Sequence, residues 1–300
     1  MTTDIPFSRD FDPAYGQSVQ VSPLIRRVVA HNPSPFTFTG TGTYIVGHGT
    51  VAVIDPGPDL PDHLDALLRA LKGETVSHIL VTHTHLDHSP LARPLAQATG
   101  APILAFGPHG SKSGDEDDPV EEGGDHTFRP DQRLKDGDVI RGPGWTLQAV
   151  HTPGHTANHL CFALAEEKAL FPGDHVMGWS TTVVSPPDGD MAAYMASLKK
   201  LMDRDDEIYW PTHGGPIHRP RRFLSALLAH RRSREEQILA AVAQGLDTIP
   251  AMVAKMYAAV DKRLHPAAAR SVLAHIIHLC ATGRLATDGP PGPDSRYRLP

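Results

Sequence analysis

Cysteine is scarce in this chain. Only Cys161 and Cys280 occur among 300 residues, far apart and each in an apolar setting. Two thiols make no disulfide framework, and buried thiols in a reducing cytoplasm are the expectation. Long apolar runs are missing as well. None approaches the roughly 18–20 residues of a membrane-spanning helix, so no membrane partner is expected. The segment from Met1 to Tyr15 carries Asp4, Asp10 and Asp12. It has neither a basic head nor an apolar stretch, so a secretory signal is not expected. Aromatic residues make up 6% of the chain, and beyond residue 218 only Phe223, Tyr257 and Tyr297 are available to stack on bases.

Histidine, by contrast, is abundant at 19 residues. It is the commonest metal ligand and the usual proton carrier near neutral pH, so its placement matters more than its number. Charge is unevenly spread. Residues 1–218 hold 15 Lys and Arg against 28 Asp and Glu, whereas residues 219–300 hold 13 against 6. A basic tail on an acidic body bears on what the chain binds. These halves predict one domain over 1–218, then a linking helix and a small domain over 219–300.

Residues 1–35, rich in Pro, Asp and Ser, predict an extended lead-in. Strands are predicted at 43–47 and 51–55, the second stopped by Asp55-Pro56-Gly57-Pro58. Leu64, Leu67, Leu68 and Leu71 recur at helical spacing, and 78–82 is an apolar run suited to a strand buried on both faces. A helix capped by Ser89 and ended by Gly100 follows, then a strand at 101–106. This alternation implies αβ layering. Residues 111–126 form an acidic insert that reads as a solvated loop. Short strands are predicted at 146–151, 159–163, 169–171 and 207–210, with a helix over 191–202. From Pro220 a long helix runs to about Gln244, a second from Thr248 to about Val260, and a third from Pro266 to Gly283. A terminal hairpin (285–287 with 296–299) completes a winged-helix-like unit.

The densest chemistry lies in Thr82-His83-Thr84-His85-Leu86-Asp87-His88, directly after a buried strand. Four ligand-type side chains in six residues, at a strand's carboxyl end, can converge on one small volume. Three later motifs repeat one design of short strand, Gly/Pro turn and single ligand-type residue. They are Thr152-Pro153-Gly154-His155-Thr156, Phe171-Pro172-Gly173-Asp174 and Pro211-Thr212-His213-Gly214.

In that order the four motifs resemble the metallo-beta-lactamase superfamily over residues 35–218. The resemblance implies an α/β fold, the αββα metallo-beta-lactamase sandwich, here with a small C-terminal winged-helix-like α+β domain. It implies that His83, His85 and His155 hold one metal, that Asp87, His88 and His213 hold a second, and that Asp174 bridges both. Imidazole and carboxylate ligands without thiolate suit Zn2+ and admit Fe or Mn. The implied enzyme is a binuclear metal-dependent hydrolase using a metal-bridging hydroxide, with Asp87 as the group that orients it or accepts its proton. Thr82, Thr152 and Thr156 are candidates to orient the ligands, and His159 and His175 to line the pocket.

Outside the ligands, Asn32 to Thr37, Gly40 to Tyr44, Gly178 to Val183 and Tyr194 to Leu198 are similar to beta-lactamase-like protein 2 and its bacterial relatives. That likeness implies a single-stranded RNA endoribonuclease (phosphodiesterase), which the basic tail favours. The alternative is an acyl-thioester hydrolase of the glyoxalase II type, which the acidic body favours. A third reading is a non-enzymatic nucleic-acid-binding regulator, and a homodimer is compatible with any of them. Beta-lactamase activity itself is not expected without an export signal. Arg219, Arg221 and Arg222 are candidates to meet an anionic substrate group. His275 and His278, one turn apart, are expected to be a surface pair rather than a metal site.

Overall fold

In a computed structural model that describes residues 4–110, 123–259 and 261–300, the chain forms two sheets stacked face to face with helices outside. The first sheet runs in sequence order through β1 (Val19–Ser22), β2 (Ile25–Val29), β3 (Gly42–Val46), β4 (Thr50–Ile54), β5 (Thr75–Leu80), β6 (Ile103–Ala105) and β7 (Gln132–Arg133). Pairing is antiparallel from β1 to β4 and parallel from β4 to β7. Helices α1 (Pro61–Ala70) and α2 (Ala92–Thr99) make the crossovers of the β4–β5 and β5–β6 pairs.

The second sheet is built from β8 (Val139–Gly142), β9 (Trp145–His151), β10 (Leu160–Leu164), β11 (Ala169–Phe171) and β12 (Ile208–Tyr209), and it runs spatially from β12 to β8. Only its β11–β12 pair is parallel, and α3 (Met191–Met202) makes that crossover.

Side-chain alternation sorts the apolar residues into layers. Tyr44, Val46, Ala52, Ile54 and Leu80 of the first sheet meet Leu147, Ala149, Leu160, Phe162 and Phe171 of the second. The next residues along the same strands point outward. Ile45, Val51 and Val53 pack on Leu67 and Leu95 of the first pair of helices. Val150, Cys161 and Leu170 pack on Tyr194 and Leu198 of α3. The result is the expected αββα sandwich.

The lead-in is more ordered than its composition suggests. Ile25, Val28 and Val29 are buried and make β2 an integral strand, with β1 at the sheet's edge. Ser89 does not cap α2, because its hydroxyl donates to Asp125 Oδ2 at 2.9 Å and the helix starts at Ala92. Most of the acidic insert, residues 111–122, lies outside the described residues.

The tail begins with α4 (Pro220–Ala243), followed by α5 (Ile249–Met256), α6 (His265–Ala281) and the small hairpin of β13 (Ala286–Thr287) and β14 (Tyr297–Arg298). Helix α5 stops at Met256, short of the expected end near Val260, which lies outside the described residues. Ile238, Met252, Val272, Ile276, Leu285 and Tyr297 share a separate core. The first turns of α4 belong elsewhere: Phe223, Leu224, Leu227 and Leu228 complete the outer layer of the second sheet beside α3. Cys161 is buried, Cys280 only half-buried, and neither is bonded to the other. Among the described residues no helix is long and apolar enough to cross a membrane.

Candidate metal centre

All the ligand-type residues singled out in the sequence reach one edge of the sandwich. The loop after β5 supplies His83, His85, Asp87 and His88, the turn after β9 supplies His155, the turn after β11 Asp174, and the segment after β12 His213. Each is 7% exposed or less.

Two of the turns require glycine. Gly154 has φ +138°, and a Cβ there would sit 2.3 Å from the backbone nitrogen of Tyr194. Gly173 has φ +51°, and its Cβ would sit 2.7 Å from His159 Nε2 and 2.9 Å from Thr82 Oγ1. The residues that follow them, His155 and Asp174, are thereby seated against the first motif.

Three imidazole nitrogens meet at one corner. His83 Nε2 and His155 Nε2 each lie 3.1 Å from His85 Nδ1. The hydrogen bonds behind these rings fix where the protons sit. His155 Nδ1 is 2.8 Å from the Val183 carbonyl, which can only accept, so Nδ1 carries the hydrogen and Nε2 a lone pair. The Thr82 hydroxyl donates to Asp55 Oδ2 at 2.7 Å and therefore accepts from His83 Nδ1 at 3.0 Å. That leaves His83 Nε2 as a lone pair too. Lone pairs converging on one point suit a cation. For tetrahedral zinc with Zn–N near ~2.0–2.1 Å, neighbouring nitrogens stand roughly 3.3 Å apart.

The second corner pairs carboxylates with imidazoles. His88 Nε2 lies 3.2 Å from Asp87 Oδ2 and 3.4 Å from Asp174 Oδ1. His213 Nε2 lies 3.2 Å from Asp87 Oδ2 and 3.3 Å from Asp174 Oδ2. His88 Nε2 and Asp174 Oδ1 are buried without a hydrogen-bond partner, an arrangement that a bound cation would satisfy. The donors group as His83, His85 and His155, as His83, His88 and Asp174, and as Asp87, His88 and His213, each set within 4.8 Å, so these groups could hold metal ions.

Electrostatics divide the site. Burial opposes charge on every member. At His213 the carboxylates of Asp174 and Asp87 outweigh burial and push the imidazole up to about 10. His83 goes the other way: burial, then the neighbouring His88, His85 and His155, hold it well below the ordinary histidine range. A neutral nitrogen cluster thus adjoins a corner whose carboxylates attract positive charge.

Three positioning groups escaped the sequence reading. Asp55, seen there only as a strand stop, accepts from His88 Nδ1 at 3.0 Å and from the Thr82 N–H and O–H, both at 2.7 Å. Its signal was a carboxylate at the end of β4, next to the strand that carries the histidines. Thr41 donates to Asp87 Oδ2 at 2.9 Å and takes a hydrogen bond from Asn32 Nδ2, also at 2.9 Å. Arg231 of α4 donates to the Thr182 carbonyl, and Thr182 Oγ1 in turn donates to the carbonyl of Asp174 at 2.8 Å.

Other candidates fall away. Of the three threonines only Thr82 bonds a ligand-type residue; Thr152 contacts His159 and Cys161, and Thr156 bonds Asn158. His159 stacks on His83 at 5.1 Å and His175 packs on Tyr194 at 4.7 Å, both fully buried and outside the pocket lining. His275 and His278 are not a surface pair. His275 is buried, and His278 Nδ1 is 2.7 Å from Glu235 Oε1.

The metallo-beta-lactamase superfamily model matches residues 37–213, well over half of the chain. The chain belongs to the metallo-beta-lactamase superfamily. A second model, the beta-lactamase associated winged helix domain, matches residues 248–290. A lactamase-like protein from Aspergillus sp. (strain MF297-2) is 33% identical to this superfamily member over 258 residues, covering 79% of this chain and 74% of that one. The atrochrysone carboxyl ACP thioesterase of Paecilomyces divaricatus is 36% identical over 74% of this chain and 66% of its own length. Its counterpart from Cryptosporiopsis sp. (strain 8999) is 34% identical over 75% and 65%. The chain therefore spans just under two thirds of either thioesterase. Among solved structures, a beta-lactamase domain protein from Burkholderia ambifaria has the same fold, with a TM-score of 0.80 and 22% identity over 97% of this chain and 96% of that one. As a member of this superfamily with thioesterase-named relatives, the protein is a metal-dependent hydrolase and not the non-enzymatic regulator weighed above.

Proposed function

We propose that this hydrolase cleaves acyl thioesters with the help of two divalent metal ions, zinc foremost. His83, His85 and His155 would hold one ion, Asp87, His88 and His213 the other, and Asp174 would bridge them. Ions held there would supply a water whose pKa is lowered toward about 7 and a Lewis acid for the carbonyl under attack. The chain's own part is positional and protonic. Asp87, fixed by Thr41 between His88 and His213, orients the attacking water and takes its proton. Water adds to the thioester carbonyl carbon, the C–S bond breaks, and a carboxylic acid and a thiol leave.

The lining of the pocket carries the choice of substrate. Beside the metal-site groups, Pro35, Phe36, Met177, Trp179 and Val183 form an apolar wall around a space of about 430 Å3 that includes its open mouth. Ser180 and Thr181 add hydroxyls, and among the described residues no Lys or Arg lines it. A neutral acyl group fits such a wall. A phosphodiester backbone brings a charge with every nucleotide and relies on cations. The thioesterase names of the relatives support the same reading. The basic excess of residues 219–300 keeps single-stranded RNA as a second reading.

The test assays the zinc-loaded protein on acyl thioesters and on short RNAs, with His85→Ala as the control. Thiol release is expected from the thioesters, abolished in His85→Ala, together with a lower metal content per chain. RNA cleavage without thioester turnover would overturn the proposal. Steep loss of RNA binding between low and moderate salt would mark the polyanion reading.

A further inference from the structure

A second groove lies next to the segment Met177–Trp179 that walls the metal-site pocket. Its rim carries Arg219, Arg222 and His218, and its floor is Pro216, Ile217 and Phe223. It encloses about 710 Å3 including its open mouth, and among the described residues no carboxylate lines it. The groove reaches Gly178, whose neighbours Met177 and Trp179 line the metal-site pocket. The Gly178 N–H donates to the carbonyl of His213 at 3.2 Å. A Cβ at Gly178 would come within 2.4 Å of the Gly215 carbonyl oxygen, so the two segments are in contact. The segment Met177–Trp179 thus lines both cavities, Gly178 on the side of the groove and its two neighbours on the side of the metal-site pocket.

Two arginines without an acidic partner among the described residues, on the rim of an apolar trough, form a specific chemical surface. Guanidinium forks match the oxygens of a phosphate, and the positive field draws an anion to this edge of an otherwise acidic body. The floor suits branched alkyl carbon. An acyl thioester whose thiol arm ends in a phosphate, with a dimethyl-substituted carbon just before it, offers both features. We propose that the groove receives the phosphate end of a 4′-phosphopantetheine arm while the thioester lies at the metal centre. This rests on the thioesterase reading and adds what that reading leaves open, the anionic end of the substrate. Coenzyme A esters and acyl carrier proteins both present this arm.

The experiment compares hexanoyl-pantetheine with hexanoyl-4′-phosphopantetheine, using the wild-type holoenzyme and Arg219→Gln/Arg222→Gln. The wild type should favour the phosphorylated substrate by about tenfold in kcat/KM, mainly through KM. The double variant should treat the two alike while turning over hexanoyl-pantetheine at the wild-type rate, with unchanged metal content and Tm. Hexanoyl-coenzyme A and hexanoyl carrier protein, run in parallel, identify which source of the arm loses its advantage. No preference in the wild type, or a preference that survives in the double variant, overturns the proposal. Calorimetric binding of free 4′-phosphopantetheine against pantetheine separates the two claims. If no thioester is hydrolysed, the thioesterase reading fails; selective binding that the double variant abolishes still supports the groove. Single-stranded RNA binding lost in the double variant, with no phosphopantetheine preference, overturns it.

Discussion

Arg231, buried on α4, holds Thr182 by its backbone carbonyl, and Thr182 holds the backbone of Asp174 and of His175. The guanidinium also lies over the Tyr194 ring, 4.9 Å from its centroid, and the Tyr194 hydroxyl reaches the same His175 carbonyl at 3.1 Å. One residue on, the Val183 carbonyl fixes the proton of His155. A helix of the tail thus braces the loop that presents the Asp174 carboxylate and orients one histidine.

Replacing Arg231 with Met removes this brace while keeping an unbranched stem. A charged hydrogen bond of this kind contributes about 1.5–3 kcal/mol. We expect kcat to fall at least tenfold with KM little changed, and bound metal to be lost more readily to a chelator. Arg231→Lys should recover part of both losses. A purely structural role would show instead as a lower Tm with kcat and metal affinity intact.

Asp55 acts at one remove from the centre. Its carboxylate keeps the proton of His88 on Nδ1, so that Nε2 faces Asp87 and Asp174. The residue sits at φ +49°, where Asn is tolerated, so Asp55→Asn changes the charge and donor pattern with little backbone cost. The expected outcome is a metal affinity about 10–100-fold weaker, read by chelator competition. Equal affinity in the variant would remove Asp55 from the account.

Glu235 ties α4 to the rest of the tail, accepting from His278 at 2.7 Å and from Arg284 at 2.8 Å. Burial raises its carboxyl, but the imidazoles of His275 and His278 outweigh that and bring it down to about 2, from an ordinary value of 4.5. A folded value below the unfolded one means that the contribution to stability is full above about pH 4.5. It fades as the pH falls toward 2. Glu235→Gln should cost about 1–3 kcal/mol at pH 7 and flatten the acid limb of the stability curve across that window. Chemical denaturation of both proteins from pH 7 to pH 3 checks this. Parallel curves would show that the network carries no net charge effect.

The ligand-type residues were legible because each motif announces its own geometry. A buried strand ends, a turn follows, and a ligand-type side chain stands at a fixed offset. Asp55, Thr41 and Arg231 act through hydrogen bonds to residues 33, 46 and 49 positions away, and nothing local marks such pairs. Strand β2 was hidden by the polar and Pro-rich company around Ile25, Val28 and Val29. Ser89 looked like a cap because Ser and Pro at a helix start usually act as one, yet a buried carboxylate, Asp125, took its hydroxyl. The histidines of α6 looked like surface residues because their partner, Glu235, lies on another helix.

The long helix α4 gives its first turns to the sandwich and its last to the winged unit. The region that the superfamily model recognises ends at residue 213, before that helix begins. A fragment trimmed to the recognised region would leave Tyr194, Leu198 and Leu201 facing water where Phe223, Leu224 and Leu227 now cover them. The boundary by which this hydrolase is recognised is therefore not the boundary at which it can be cut.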